Sequence, residues 1–242
     1  LCRWIPPEVA VWTAVGPVHL ERFGSLEAIA RAKAEILPGA RVAVVNWDDP
    51  LVRREVEARS GLQVVRCSVV SREAEVSVLA EGGDRVVRVG GDEVGRLPSG
   101  GVFPMNVACA VGVAHALGVP AVRIGERLGG LPHPQHRGVE GCSEAGVLII
   151  DDTYNSNPAG ARAAVERLAA AVPGRTVLVT PGMVELGRTQ AAENRSLAAF
   201  AAARVSDLIV VGRTNRRAFL VGARGGRARV SAVAHRPEAV AW

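Results

Sequence analysis

Short runs of apolar residues in the first half of the chain predict buried strands. Residues 9–12 and 41–46 are almost wholly apolar, and each ends at a polar or glycine-containing segment, which is typical of a strand inside a sheet. Residues 62–90 alternate apolar and polar positions on both sides of Gly82-Gly83. This alternation predicts a β-rich region that contains a hairpin.

Apolar residues at helical spacing predict helices between these strands. Ser25 is a good N-cap, and the apolar positions from Leu26 to Leu37 recur with the helical period. The small-residue segment 106–117 and the segment 121–128 predict two further helices, separated by glycine and proline.

The second half of the chain alternates strands and helices more regularly. Residues 129–146 carry Gly, Pro and His and predict a linker or domain crossing. After them the pattern predicts strands at 147–150, 176–179 and 208–211, with a helix after Asn157-Pro158 and another at 190–203. The fold class is therefore α/β, with a parallel sheet covered by helices on both faces. We predict two domains, at residues 1–136 and 137–242.

Composition and charge narrow the function classes. The chain has 242 residues, of which 48% are hydrophobic, and a formal net charge of +5. The arginines are spread along the chain without a basic run or interleaved stacking aromatics, which favours a solvated surface over nucleic-acid binding. The charge is equally compatible with a phosphate-bearing small substrate. No apolar run is long enough to cross a bilayer and no signal peptide is evident, so we expect a cytoplasmic protein without membrane insertion.

The cysteines predict neither a disulfide framework nor a zinc site. They are scattered, with no C-x-x-C pair and no histidine at ligand spacing; they are Cys2, Cys67, Cys109 and Cys142. Reduced thiols in the core are the better interpretation.

Lys33 is the only lysine in a chain with 29 basic residues. Because arginine supplies the positive charge elsewhere, a retained lysine suggests chemistry that guanidinium cannot perform, such as the loss of a proton to give an amine nucleophile. Lys33 lies seven residues after Leu26, which predicts a position on the apolar stripe of its helix. Chance retention of a snorkelling lysine is the alternative.

His19 precedes Lys33 by fourteen residues, so a strand-end turn and the next helix could bring both side chains to one cavity. A histidine binds metals, and a lysine amine that takes up carbon dioxide becomes a carbamate, an oxygen ligand suited to magnesium. An ordinary surface histidine beside a snorkelling lysine is the alternative, and spacing alone favours it.

Two polar motifs follow predicted strands, where open α/β sheets place their ligands. The first is the run from Asp151 to Pro158, whose carboxylates can bond ribose hydroxyls and whose helix start favours an anion. A polar loop with an Asn cap explains only its last two residues. The second is the glycine-rich segment 180–187, where the backbone can approach a ligand closely.

These motifs together resemble the Mur ligase family of ATP-dependent amide ligases, and most closely its D-alanyl-D-alanine-adding branch. The resemblance is carried by Gly16-Pro17-Val18-His19-Leu20-Glu21, Ala32-Lys33-Ala34-Glu35-Ile36, Asn46-x-Asp48-Asp49, Asp151-Asp152-Thr153-Tyr154-Asn155-Ser156-Asn157-Pro158 and Gly182-Met183-Val184-Glu185-Leu186-Gly187. Their order and spacing match over nearly the whole chain.

The resemblance implies the back part of a central ATPase domain followed by a Rossmann-like C-terminal domain. It implies that ATP phosphorylates the carboxylate of a UDP-N-acetylmuramoyl-tripeptide, whose acyl phosphate the amine of D-alanyl-D-alanine then attacks, and that the complete enzyme is a monomer. By this resemblance, His19 and a carbamylated Lys33 hold Mg²⁺, and Tyr154, Asn155 and Asn157 contact substrate. The nucleotide contacts that it implies are Asn106 at the adenine, Arg137 at a phosphate and Asp152 at the ribose.

Several features depart from the family pattern. No Gly-x-x-x-x-Gly-Lys-Ser/Thr is present, so the P-loop and the UDP-binding domain are expected upstream of Leu1, and further strands after Trp242. We therefore expect a fragment that is inactive alone. Val102-Phe103 replaces an expected His-Asn pair, and Thr180-Pro181 and Asn194 replace the usual Gly-Asp and His. The alternatives are a non-catalytic nucleotide-binding remnant and a folate-polyglutamating ligase, which the lack of a His-Asn-Pro disfavours.

Overall fold

The chain forms two compact units in a computed structural model. The structure describes residues 2, 4–17, 20–98, 103–131, 135–136, 138–171 and 174–242. Unit 1 comprises Leu1–Gly16 and Ser25–His133, and unit 2 comprises Pro17–Gly24 and Pro134–Trp242. The predicted domain division between residues 136 and 137 stays a prediction.

Both units contain strands and helices, numbered here along the chain. The strands are β1 (Val9–Trp12), β2 (Val42–Asn46), β3 (Gln63–Ser68), β4 (Val76–Glu81), β5 (Asp84–Val89), β6 (Asp92–Pro98), β7 (Val139–Cys142), β8 (Leu148–Asp151), β9 (Val177–Thr180), β10 (Asp207–Val211) and β11 (Arg229–Val233). The helices are α1 (Leu20–Phe23), α2 (Leu26–Lys33), α3 (Pro50–Glu57), α4 (Pro104–Ala116), α5 (Ala121–Leu128), α6 (Pro158–Ala171), α7 (Gln190–Ala202), α8 (Arg216–Gly222) and α9 (Arg236–Val240).

Unit 1 is built on one mixed sheet with the strand order β1-β2-β3-β4-β5-β6. The first four strands run parallel, and β4, β5 and β6 form an antiparallel meander. The four apolar residues of β2 are fully buried, because α4 covers one face of the sheet and α2 and α3 cover the other. The predicted hairpin is confirmed, and Gly82-Gly83 form its turn.

The predicted N-cap of α2 is confirmed. Ser25 Oγ accepts a hydrogen bond from the amide of Ala28 at 3.1 Å and begins α2. This helix ends at Lys33, earlier than predicted, and a short 3₁₀ turn continues to Ile36. The segment predicted as 121–128 is helical over those residues.

Unit 2 contains a parallel sheet with the order β11-β10-β9. One face packs against α6, α7 and α8, and the buried β10 residues Leu208 and Val210 lie at its centre. The prediction that β8 belongs to this parallel arrangement is wrong for the described residues, since β8 pairs antiparallel with β7. β7 itself lies within the segment predicted as a linker. No helix in the described ranges is long and apolar enough to span a bilayer.

Two of the four cysteines match the core-thiol prediction. Cys67 and Cys109 are buried in unit 1, whereas Cys142 is exposed and Cys2 half-buried. All four are free thiols. The expectation of core packing is therefore wrong for Cys142, which lies at the end of the short strand β7.

A buried carboxylate joins three strands at the amino end of the unit 2 sheet. Asp207, only 3% exposed, accepts hydrogen bonds from Arg175 Nε at 2.7 Å and Arg229 Nε at 2.8 Å. The guanidinium carbons of the two arginines lie 5.1 and 4.7 Å from the centre of the Trp242 ring. The hydrogen bond from Arg175, supported by that from Arg229, holds the pKa of Asp207 below its usual value.

Asp207→Asn is expected to lower the urea midpoint of unit 2 at pH 7, because the amide weakens both charge-assisted bonds. The folded pKa lies below that of the unfolded chain, about 3.9. The stabilisation is therefore complete above that pH and disappears as the pH falls through the folded value. Urea midpoints measured from pH 7 downwards should fall less steeply in the variant, and the exposed Glu144→Gln should match the wild type. An unchanged midpoint at pH 7 contradicts the role of Asp207.

Candidate functional site

The polar loop after β8 is organised by Asp151. Its Oδ1 accepts hydrogen bonds from the amide and the hydroxyl of Thr153, at 3.1 and 2.7 Å, and its Oδ2 lies 2.6 Å from His136 Nδ1. The Thr153 hydroxyl, and then His136, hold the pKa of Asp151 below its usual value. Asp151 therefore shapes the loop, and the neighbouring Asp152 is half-buried.

Asn157 ends this loop by capping α6. Its Oδ1 accepts a hydrogen bond from the amide of Gly160 at 2.9 Å, and Pro158 takes the first helical position. The predicted Asn cap is confirmed. Asn155 is exposed, and its Oδ1 accepts a hydrogen bond from the amide of Ser156 at 2.9 Å.

The glycine-rich turn after β9 is held by a buried asparagine. Asn194, fully buried on α7, accepts a hydrogen bond from the Met183 amide at 2.8 Å and donates one to the Met183 carbonyl at 2.9 Å. It thus pairs with the turn as a neighbouring strand would. Asn194, which stands where the family usually has histidine, therefore supports this turn through its side chain.

A second buried asparagine completes this support. Asn215 Nδ2 donates to the carbonyls of Pro181 and Met183, each at 3.0 Å, and its Oδ1 accepts from Asn194 Nδ2 at 3.2 Å. Gly182 has a φ of +78°, and a Cβ there would lie 2.5 Å from Asn194 Oδ1. Only glycine fits this position without displacing the asparagines.

The two polar motifs of unit 2 meet around one cavity of about 190 Å³, here called the strand-end cavity. It is lined by Pro17, Asn155, Ser156, Asn157, Val184, Glu185 and Leu186. Glu185 has a φ of +61°, a conformation that non-glycine residues adopt rarely and that often marks a functional turn. The structure therefore brings together polar groups from two segments that are distant in sequence.

In unit 1, the strand-end motif containing Asn46 has mainly structural contacts. Asp48 accepts hydrogen bonds from Ser68 Oγ at 2.6 Å and the Val69 amide at 2.7 Å, which ties β2 to β3. Asp49 caps α3 through the Leu51 amide. Both carboxylates therefore have hydrogen-bond partners within unit 1.

Lys33 and Asn106 occupy exposed positions in unit 1. Lys33 follows the buried Ile29 and Ala30 by four and three residues and therefore lies on the same stripe of α2 as predicted, but its side chain is exposed at the end of the helix. In unit 2, Asp152 is half-buried and Tyr154 is 65% exposed. Three residues singled out in the sequence, His19, Val102 and Arg137, lie outside the described residues.

The described residues do not form a ready-made metal site. Among them, no group of three or more His, Cys, Asp or Glu side chains is placed to hold a metal ion. An unmodified lysine side chain has no oxygen with which to bind Mg²⁺. The magnesium role of His19 and Lys33 therefore rests on the family resemblance.

Sequence reasoning missed several groups at this site. His136 lay in the presumed linker, and Asn215 follows a strand without an obvious motif. Ser156 and Glu185 lie within the two motifs of unit 2 that carry the family resemblance, but the sequence analysis assigned them no role. Asn194 was visible only as a departure from the family, although its position three and four residues before Leu197 and Ala198 could have indicated an inward-facing amide.

Comparison with known proteins shows the family. Residues 1–98 match the Mur ligase middle domain and residues 139–242 match the family model described as "Mur ligase, glutamate ligase domain". The chain belongs to the Mur ligase family.

Its relatives include ligases that add D-alanyl-D-alanine. The chain is 33% identical over 239 residues to the UDP-N-acetylmuramoyl-tripeptide–D-alanyl-D-alanine ligase of Mycobacterium tuberculosis, covering 88% of this chain and 45% of that protein. Similar structures are MurF from Acinetobacter baumannii (TM-score 0.79, 28% identity, 98% of this chain and 52% of that one) and MurF ligase from Thermotoga maritima with ADP (TM-score 0.76, 25% identity, 99% and 56%). The chain thus spans about half the length of these relatives.

Proposed function

We propose that the complete protein is an ATP-dependent amide ligase that joins D-alanyl-D-alanine to a UDP-N-acetylmuramoyl-tripeptide. The observation that carries this proposal is the strand-end cavity, where the Asp151–Pro158 loop and the glycine-rich turn meet in unit 2. Membership of the Mur ligase family and the similarity to D-alanyl-D-alanine-adding ligases support it. The proposal includes a cytoplasmic location and a monomeric complete enzyme.

The reaction has two steps. The tripeptide carboxylate attacks the terminal phosphorus of ATP, so that an acyl phosphate forms and ADP leaves. The dipeptide amine then attacks the acyl carbon, the C–N bond forms, phosphate leaves and the nitrogen loses a proton. Both steps depend on holding charged reactants in line, which is mainly a task of positioning and electrostatics.

The proposed residue roles follow the family resemblance. Asn106 contacts the adenine, and a carbamylated Lys33 acts with His19 as a ligand for Mg²⁺, which would neutralise the transferring phosphoryl group when bound. Asp152 bonds the ribose and Arg137 a phosphate. The half-buried state of Asp152 agrees with a carboxylate that accepts hydroxyl hydrogen bonds at the rim of a site.

The strand-end cavity is proposed to take the incoming dipeptide. Asn155, Ser156 and Asn157 supply amide and hydroxyl groups there, beside the apolar Val184. A small apolar surface suits the alanine methyl groups, and the polar groups suit the charged ends of the dipeptide. Tyr154 stands next to this wall and is proposed to contact the same substrate.

Asn155→Ala and Ser156→Ala, tested in the complete protein, should each raise the KM for D-alanyl-D-alanine at least about tenfold, since a hydrogen bond to a charged group contributes about 1.5–3 kcal/mol. The KM for ATP should stay unchanged. The measurement is coupled ADP release together with chromatographic detection of the amide product.

Ser231→Ala on β11 is the matched control and should behave as the wild type. If ATP kinetics change and dipeptide kinetics do not, the cavity has been assigned to the wrong substrate. If the complete protein binds ATP but forms no amide, it is a non-catalytic remnant.

A further inference from the structure

A second and larger cavity, here called the arginine cavity, lies in unit 2 between α7 and α8. Its volume is about 710 Å³, within the usual range for small-molecule sites. Its polar lining groups are Arg188, Gln190, Arg195, Thr214, Asn215 and Arg217. None of the residues that line it lines the strand-end cavity.

The charged groups that line the arginine cavity are all positive. The lining contains three guanidinium groups and no carboxylate. Arginines elsewhere in the described ranges are commonly paired with acids, as in Arg66–Glu75 at 2.7 Å and Arg167–Glu140 at 2.6 Å. Within the part of the chain that the structure describes, Arg188, Arg195 and Arg217 form no such ion pair.

Three like charges around one concave surface raise each other's energy, and an anion between them relieves this repulsion. Arginine keeps its charge at any physiological pH, so the cavity cannot neutralise itself by losing protons. Its planar fork also matches the paired oxygens of phosphate and carboxylate groups. The amide of Gln190 and the hydroxyl of Thr214 add neutral hydrogen-bonding groups to the same wall.

We propose that the arginine cavity binds a small polyanion with at least two phosphate or carboxylate groups. This site lies outside the proposed ligase machinery, and its occupancy does not depend on ligase activity.

Hydrogen bonds connect the polar groups at the floor of the cavity to one another and to the backbone. Gln190 Nε2 donates to Asn215 Oδ1 at 3.2 Å, and the buried Asn215 is bonded in turn to the backbone of Pro181 and Met183. These bonds hold the side chains of Gln190 and Asn215 in place before a ligand arrives, which reduces the entropy that they lose on binding.

The test is isothermal titration of the 242-residue chain with pyrophosphate and, separately, with citrate at low ionic strength. We expect saturable one-to-one binding of at least one probe. The double variant Arg188→Gln/Arg217→Gln should weaken this binding at least about tenfold, since two charge-assisted contacts are lost. Preference for pyrophosphate or for citrate identifies the ligand as a phosphate or a carboxylate compound.

Arg213→Gln/Arg224→Gln removes the same charge from exposed positions in unit 2 that do not line the cavity, and should leave the affinity unchanged. Urea midpoints of both double variants should equal that of the wild type, because the substituted side chains are exposed. Absence of binding by both probes, or equal weakening in the two double variants, overturns the proposal.

Discussion

Asn194→Leu is expected to destabilise unit 2 by about 3–5 kcal/mol, although leucine is similar in size to asparagine. The side chain is fully buried and makes hydrogen bonds to Met183 N, Met183 O and Gln190 O, and to the amide of Asn215. Leucine leaves the Met183 amide buried without a partner, and each such group costs about 1–3 kcal/mol. The glycine-rich turn should loosen first.

Urea unfolding combined with hydrogen exchange measured peptide by peptide tests this expectation. Exchange should accelerate in the peptides that contain residues 181–187, and unit 1 should keep its protection. Asn155→Leu, which makes the same chemical change at an exposed position, is the control and should cost under about 1 kcal/mol. A similarly small loss for Asn194→Leu shows that the turn does not depend on this side chain.

Lys33→Ala in the complete enzyme is expected to lower kcat by at least about 10²–10³-fold, the usual effect of removing one group that stabilises transition-state charge. Because Lys33 is exposed within unit 1, its removal should leave the urea midpoint of that unit unchanged. A loss of activity would then be due to the missing group and not to unfolding. Acetate or formate should restore part of the activity by replacing the carbamate oxygens, and Lys33→Arg should remain inactive although it keeps the positive charge.

Arg31→Ala, at an exposed position on the same helix, is the control and should keep wild-type kcat. Formation of a carbamate consumes carbon dioxide, so activity should rise with added bicarbonate. Activity in the Lys33→Arg enzyme would contradict the carbamate and show that Lys33 is an ordinary surface residue.

The sequence predicted correctly the helices whose ends and faces are set by neighbouring residues. Residues 121–128 form a helix, and Asn157 with Pro158 starts another, because caps and periodicity act over a few residues. The strand β7 was missed, because its four residues gain their order from pairing with β8 and carry no apolar alternation of their own.

The site was only partly predictable for the same reason. Asn155 and Asn157 stood in a visible motif, and the structure places both at the strand-end cavity. Helical spacing placed Lys33 on the stripe of Ile29 and Ala30, but it could not show that the side chain is exposed, because exposure depends on which elements pack over the end of the helix. The roles of Asn194 and Asn215 depend on contacts between distant segments, which periodicity does not record.

The assignment of Pro17–Gly24 to unit 2 has a consequence for the order of folding during synthesis. The ribosome makes α1 before almost all of unit 1, yet the partner of α1 in unit 2 is the 3₁₀ turn that begins at Gly187. The backbone at Gly187 comes so close to Glu21 that a Cβ would lie 3.1 Å from its Cα atom. Contacts between segments so distant in sequence form slowly compared with local ones. During synthesis, α1 therefore stays without its packing partner while unit 1 folds. Unit 2 can reach its final form only after residue 187 has left the ribosome.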